Sequence, residues 1–256
     1  MPISGHFSGL GWLSTRTSGP IRNGLSLYLD AGNTTSYPRS GTSWSDLSRK
    51  SNTSTLVNGP TYSATNRGVI TTDGANDYID LGTSRIYITT TTPFTWQLWL
   101  KPSFRASGVG GPWHRLCALR STGGSTLGLS HARELANGYT GLYIAATTGW
   151  LQASTSYIPP NNQWGMYTLT YNGNGSTNKS NFQIYYNTTA ISWSTAVPSV
   201  PAASADCNVL ATRSNTAGDT SQALAASYGV VMIYNKMLSA SEVMYNYNSL
   251  RSRYGI

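Results

Sequence analysis

At 256 residues the chain is long for one average domain, yet sandwiches and barrels reach this size as a single unit. Charged residues make up only 10% while 17 Tyr and 8 Trp supply large apolar surface, a profile that suits strands and exposed turns rather than helices. The 17 Lys and Arg outnumber the 9 Asp and Glu, but the bases are scattered singly, which argues against a nucleic-acid stripe, and no run approaches the ~20 apolar residues of a membrane helix.

Residues 1–23 carry Gly and Pro at close intervals and show no helical or strand period. They nonetheless hold Phe7, Leu10, Trp12, Leu13 and Ile21, so they are expected to form an arm that packs on another chain or back along its own domain, with residues 24–256 as the globular body. The start of the chain lacks an apolar signal core, which predicts synthesis in a cytoplasm and makes the sequons at Asn33, Asn52, Asn174, Asn178 and Asn187 products of an Asn/Ser/Thr-rich composition. Only Cys117 and Cys207 occur, and free or buried thiols are expected.

The body opens on Leu25-Ser-Leu-Tyr-Leu-Asp30, where 25, 27 and 29 alternate as a strand. A turn-rich loop, an ordered piece at Ser43–Ser48 and a strand over Thr55–Tyr62 closed by Asn-Gly-Pro follow. Tyr78–Leu81 and Phe94–Lys101 alternate with period two; in the latter Phe94, Trp96, Leu98 and Leu100 form the buried set and Thr95, Gln97, Trp99 and Lys101 the opposite one. Short apolar runs near 115–119, 127–130, 141–146, 166–171, 182–186, 209–212 and 227–234, punctuated by turns such as Asn172-Gly-Asn-Gly175, predict an all-β, two-sheet antiparallel sandwich. One short helix closes the chain. Ser239 and Glu242 have capping-box spacing, Leu238 and Val243 sit at staple positions, Arg251 and Arg253 lie at the negative end of the dipole, and Val243, Tyr247, Leu250 and Tyr254 share a face.

The chemistry is sparse. Glycoside hydrolysis needs two carboxyl groups about 5 to 9.5 Å apart, and the only glutamates are Glu134 and Glu242, the second better explained as a helix cap; no catalytic residue is expected. Asp73, Asp77 and Asp80 lie in an oxygen-rich stretch that suits calcium, although turn-forming Asp with local hydrogen bonds is the simpler reading. His6, His114 and His131 lack metal-ligand spacing, so no cofactor is expected. Trp113 with His114 in a Gly/Pro loop, and Trp150 after Thr148-Gly149, are candidates to lay an indole against a sugar; core or subunit contact is the commoner place for Trp in a sandwich. Acids are absent before Asp30, between Asp80 and Glu134, and between Glu134 and Asp206, which leaves surfaces suited to an acidic partner or simply to solubility.

Six pieces in order resemble the concanavalin A-like lectin/glucanase superfamily in its laminin-G-like branch: Gly24–Ala31, Ser43–Ser48, Asp73–Ile79, Phe94–Pro102, Gln163–Tyr171 and Val231–Glu242. The turn usual after the Asp-Leu-Ser piece is here Arg49-Lys-Ser-Asn-Thr-Ser54. Tyr37-Pro38, Trp44-Ser-Asp-Leu47 and Tyr247–Gly255 are most similar to tailed-bacteriophage structural proteins. The resemblance implies a jelly-roll sandwich and a non-enzymatic virion-surface protein of the capsid decoration or cement type, anchored on a capsid or other virion protein by its arm and assembled as a homo-oligomer, a trimer being favoured. The alternative it implies is a host-recognition lectin for surface glycans; a glycoside hydrolase comes third.

Overall fold

The structure is a computed structural model that describes residues 19–82, 91–104, 113–120, 126–134, 139–146, 149–152, 157–174, 181–193, 207–211 and 222–256, with the backbone alone at most positions from 119 to 152, at 113 and at 207–209. The strands among these residues are β1 (Leu25–Asp30), β2 (Ser43–Ser45), β3 (Thr53–Val57), β4 (Thr61–Ser63), β5 (Val69–Asp73), β6 (Tyr78–Asp80), β7 (Phe94–Ser103), β8 (Trp113–Arg120), β9 (Thr126–Glu134), β10 (Tyr139–Ala146), β11 (Gly149–Gln152), β12 (Gly165–Tyr171), β13 (Phe182–Tyr186), β14 (Thr189–Ile191), β15 (Cys207–Leu210) and β16 (Ala225–Tyr234), followed by helix α1 (Ala240–Leu250). All pairings are antiparallel. The first sheet runs β14-β13-β12-β7-β16-β5-β4, and the second β11-β10-β9-β8-β15-β6-β3-β2. The two-sheet, antiparallel, one-helix architecture expected from the turn punctuation is the one found.

β16 is the axis of the first sheet. One edge pairs with β7 along its whole length, while the other is shared, β5 taking Ala225–Tyr228 and β1 taking Val230–Tyr234. The changeover falls at Gly229, where the register with β7 also shifts. A side chain there would run into the Tyr254 hydroxyl, so a residue without Cβ is required.

Between the sheets lies the main core, with Leu27, Leu29, Trp44, Ile79, Phe94, Trp96, Leu98, Leu100, Leu142, Tyr167 and Tyr228. The alternation read in Phe94–Lys101 is correct for this face. The opposite face of β7 differs from a solvent face: Thr95, Gln97 and Trp99 are all buried beneath the C-terminal helix. Trp99 stacks on Tyr254 (centroids 4.5 Å, 13°) and on Tyr247 (5.6 Å, 12°), and Trp164 packs on Tyr254 at 4.5 Å. The polar groups of Thr95, Gln97 and Asn246 under the helix are hydrogen-bonded, whereas Trp99 Nε1 and the Tyr254 hydroxyl have no hydrogen-bond partner. Asn246 Nδ2 donates to Gln97 Oε1 (2.6 Å) and to the Tyr234 hydroxyl (2.9 Å), and Thr95 Oγ1 accepts from Leu238 N–H while donating to Lys236 O. The capping box at Ser239 and Glu242 forms as expected.

Several expectations need correction. Thr55–Tyr62 is not one strand: Asn58 and Gly59 take positive φ (66° and 117°), and the chain crosses from β3 in the second sheet to β4 in the first. Arg253 serves less as a dipole partner than as a clamp: it donates to Asp30 Oδ1 (2.5 Å), Asn66 O (2.6 Å) and Gly68 O (2.7 Å), tying the chain end to the β1 and β4–β5 loops. Of the five arm residues, Phe7, Leu10, Trp12 and Leu13 lie outside the described residues. Ile21 is held by its own body, its N–H donating to Asn246 Oδ1 (2.8 Å) and its carbonyl accepting from the Tyr234 hydroxyl (3.1 Å). Cys117 is buried in the inter-sheet core. Asn52, one of the sequon residues, is buried with its amide on Ser26 O and Asp46 Oδ2, and no helix among the described residues is long and apolar enough to cross a membrane.

Candidate ligand-binding face and basic clefts

The register of the second sheet settles where the candidate aromatic residues sit. Leu142 is fully buried in the inter-sheet core, and it pairs with His131, which pairs with His114. Directly paired residues share a face, so position 114 is on the core side. His114 is 2% exposed, with its ring 5.5 Å from that of Phe104. It stands in a strand rather than the loop expected, and its burial removes it from a solvent-facing sugar site.

Trp113 pairs with Ala132, and Ala132 with Gly141; Trp150 pairs with Ala145, four positions further along the strand that carries Gly141. Positions 113 and 150 therefore lie on one face, the one opposite Leu142. The same face carries Tyr139 and Tyr143, with the small residues Gly128, Ala132, Gly141 and Ala145 between them. Four aromatic positions share a face whose other positions are mostly small residues, Arg115 in the row Arg115–Ser130–Tyr143 being the exception, and sugar rings can lie on such an arrangement. Tyr139 and Tyr143 escaped the sequence reading. The signal was present in the alternation of Leu142 and Ile144 with Gly141, Tyr143 and Ala145.

Among the described residues the acidic groups are dispersed. Glu134 pairs with Tyr139 at one end of this face, while Asp80 lies at the other, in the row Asp80–Val209–Ala118–Gly128–Ala145–Trp150. Six residues along β9 and three strand spacings separate them, roughly 20 Å by roughly 14 Å. Glu242 is occupied by Lys236 Nζ (2.6 Å) and the Ser239 N–H (3.0 Å); burial pushes its carboxyl up, but these partners outweigh that and hold it below the usual range. Asp73 and Asp77 close a turn. Burial pushes Asp73 up, yet the N–H groups of Ala75, Asp77 and Asn76 bring it below the ordinary range, whereas burial and then the Asp73 charge raise Asp77, which is 5% exposed. Asp80 Oδ1 accepts from Gly82 N–H. The calcium stretch thus consists of turn-closing carboxylates, and among the described residues no three His, Cys, Asp or Glu come together to hold a metal.

Two polar clefts open beside the root of the arm. The first, about 550 Å³, is lined by Gly19, Pro20, Arg22, Tyr28, Asn33 and Arg49 among others; the second, about 530 Å³, by Asn33, Thr34, Arg39, Arg67, Ser252 and Arg253 among others. Asn33 belongs to both. Arg22 lies over the Tyr28 ring at 5.2 Å and donates to Leu47 O. Burial and then the Asp30 carboxylate push the Tyr28 phenol up, so it stays protonated and donates to Asp30 Oδ2 at 3.4 Å.

Residues 73–244 match the family model of the Concanavalin A-like lectin/glucanases superfamily, and the chain belongs to that superfamily. No curated protein matches the sequence. Similar solved structures include Trypanosoma rangeli sialidase in complex with sialic acid (TM-score 0.63, 15% identity, 90% of this chain and 33% of that chain). Domain 4 of AbnA, a GH43 extracellular arabinanase from Geobacillus stearothermophilus in complex with arabinotriose, aligns at TM-score 0.61 with 16% identity over 88% of this chain and 98% of that chain. The binding domain of Paraclostridial Mosquitocidal Protein 1 aligns at TM-score 0.59 with 15% identity over 89% and 52%. The chain spans about a third of the sialidase's length; at these identities the likeness is one of fold.

Proposed function

We propose that this chain is a carbohydrate-binding protein that performs no hydrolysis. The observation that carries this reading is the register that brings positions 113, 139, 143 and 150 onto one face of the second sheet. The arabinanase domain with its arabinotriose is a precedent for a short saccharide held on this fold. Among the described residues the acids on the aromatic face, Glu134 and Asp80, are too far apart to flank one bond, which disfavours hydrolysis. The test is a glycan array followed by titration calorimetry with the best ligand. Trp113→Ala and Trp150→Ala are each expected to weaken binding about tenfold, the loss of roughly 1.4 kcal/mol of stacking. Absence of any glycan signal from the native protein, or binding unchanged in both variants, would remove the reading; release of reducing ends that disappears in Glu134→Gln would overturn its non-hydrolytic half.

A second reading, that the protein stands on a virion as a decoration or cement protein, is favoured by the root of the arm. The backbone of Ile21 is bonded on both its N–H and its carbonyl to the body, so residues 1–18 are joined to a fixed point, as an anchor requires. In this reading Phe7, Leu10, Trp12 and Leu13 dock on a capsid or other virion protein, three copies assemble together, and each weak arm gains from the other two. Full-length protein is expected to bind particles lacking it, and protein without residues 1–18 to lose that binding. Equal binding by the truncated chain would refute the anchor, and isolated single copies on imaged particles would refute the trimer.

A further inference from the structure

We infer that the paired clefts beside the arm root form a second binding site, for an acidic oligosaccharide, and that it rests on neither Trp113 nor Trp150. Five arginines line the two clefts against a single acid, Asp30. Asp30 is already paired with Arg253 and accepts from Gly32 N–H at 2.8 Å. Four guanidinium groups, those of Arg22, Arg39, Arg49 and Arg67, therefore face the clefts with no lining carboxylate to neutralise them. All four residues are exposed. Arg39, Arg49 and Arg67 stand in the left-handed region (φ 72°, 70° and 65°), where a side chain with Cβ is rarely found, so each loop presents its arginine from a constrained backbone.

The chemistry of the walls selects the ligand. Guanidinium forks match carboxylate and sulfate groups, and Asn33, Thr34 and Ser252 supply the small donors and acceptors that sugar hydroxyls need. An arginine pair in each lobe, with Asn33 common to both, fits an extended ligand carrying an acid group on successive units. An acidic peptide fits less well. The strand edge bordering the clefts is that of β1, and its backbone groups are already taken: Tyr28 N–H by Asp46, Tyr28 O by Leu47 N–H, Ser26 O by Ser48 and Asn52, and Asp30 N–H by Ser36. A peptide strand finds no edge to extend.

Calorimetric titration of the full-length protein with four hexamers decides the matter: oligogalacturonate for carboxylate, a heparin-derived oligosaccharide for sulfate, maltohexaose as the neutral sugar, and hexaglutamate as the acidic peptide. At least one acidic sugar is expected to bind, with affinity falling as salt rises. The double variant Arg39→Gln with Arg67→Gln should weaken that binding at least about tenfold, as should Arg22→Gln with Arg49→Gln, while Trp113→Ala with Trp150→Ala leaves it unchanged. Thermal midpoints measured alongside separate loss of the site from loss of the fold, and the exposed Arg39/Arg67 pair is expected to leave the midpoint in place. The inference is overturned if neither acidic sugar binds, if maltohexaose or hexaglutamate binds as tightly, or if both glutamine variants bind like the native protein.

Discussion

Replacing Arg253 with alanine is expected to cost the domain about 3–5 kcal/mol, the penalty of leaving one member of a buried ion pair without its partner. The side chains of Arg253 and Asp30 are 7% and 14% exposed, so solvent does little to screen the loss. The same substitution strips Asn66 O and Gly68 O of their donor. Three separate segments meet at this guanidinium. Arg253→Lys should recover little, because one ammonium cannot address a carboxylate and two carbonyls from a planar fork. Equilibrium urea unfolding reads the effect; a loss below about 1 kcal/mol in the alanine variant would place the clamp among ordinary surface pairs.

Removing the Trp99 side chain is the second large effect, about 3–5 kcal/mol for a buried tryptophan cut to alanine. Its mode of failure should be distinctive. The inter-sheet core does not contain Trp99, whereas the layer between the first sheet and the helix is built around it, with Tyr247 and Tyr254 stacked on the indole. Trp99→Ala is therefore expected to expose Ala240–Tyr254 to limited proteolysis before the sandwich unfolds. Trp96→Ala, on the core side of the same strand, should lose stability without that early cut. Simultaneous cleavage in both variants would show that helix and sandwich do not separate.

These two residues also mark what the sequence could convey. β1 and β13 are found at the bounds expected, because strong alternation between turns leaves one assignment. Trp99 was placed on the correct face of β7, but a period of two says only that a face is opposite, and whether a helix covers it depends on contacts some 140 residues away. β5 and β14 give little signal: Val-Ile-Thr-Thr-Asp puts its two apolar residues side by side instead of alternating, and Thr-Ala-Ile is too short to show a period. The Gly and Pro neighbours of Trp113 point to a loop, and Trp150 follows Thr148-Gly149; both positions lie in strands, and that is what places them on a common face. Arg39 and Arg67 gave no signal. They meet at one cleft only because two loops turn through left-handed backbone, which nothing in either local stretch announces.

The buried network joining Ile21, Asn246, Tyr234 and Gln97 gives the molecule a front and a back. The polypeptide enters the body and finishes it on the helix-covered side of the first sheet, whereas the four aromatic positions occupy the far side of the second, across a core about 10 Å thick. Anything attached at either end of the body joins it on the side away from those positions. A pull on the arm reaches the sandwich through the Tyr234 hydroxyl, at the end of β16, the strand with neighbours along both edges. Force along that line loads many hydrogen bonds of β16 together instead of unzipping one edge at a time.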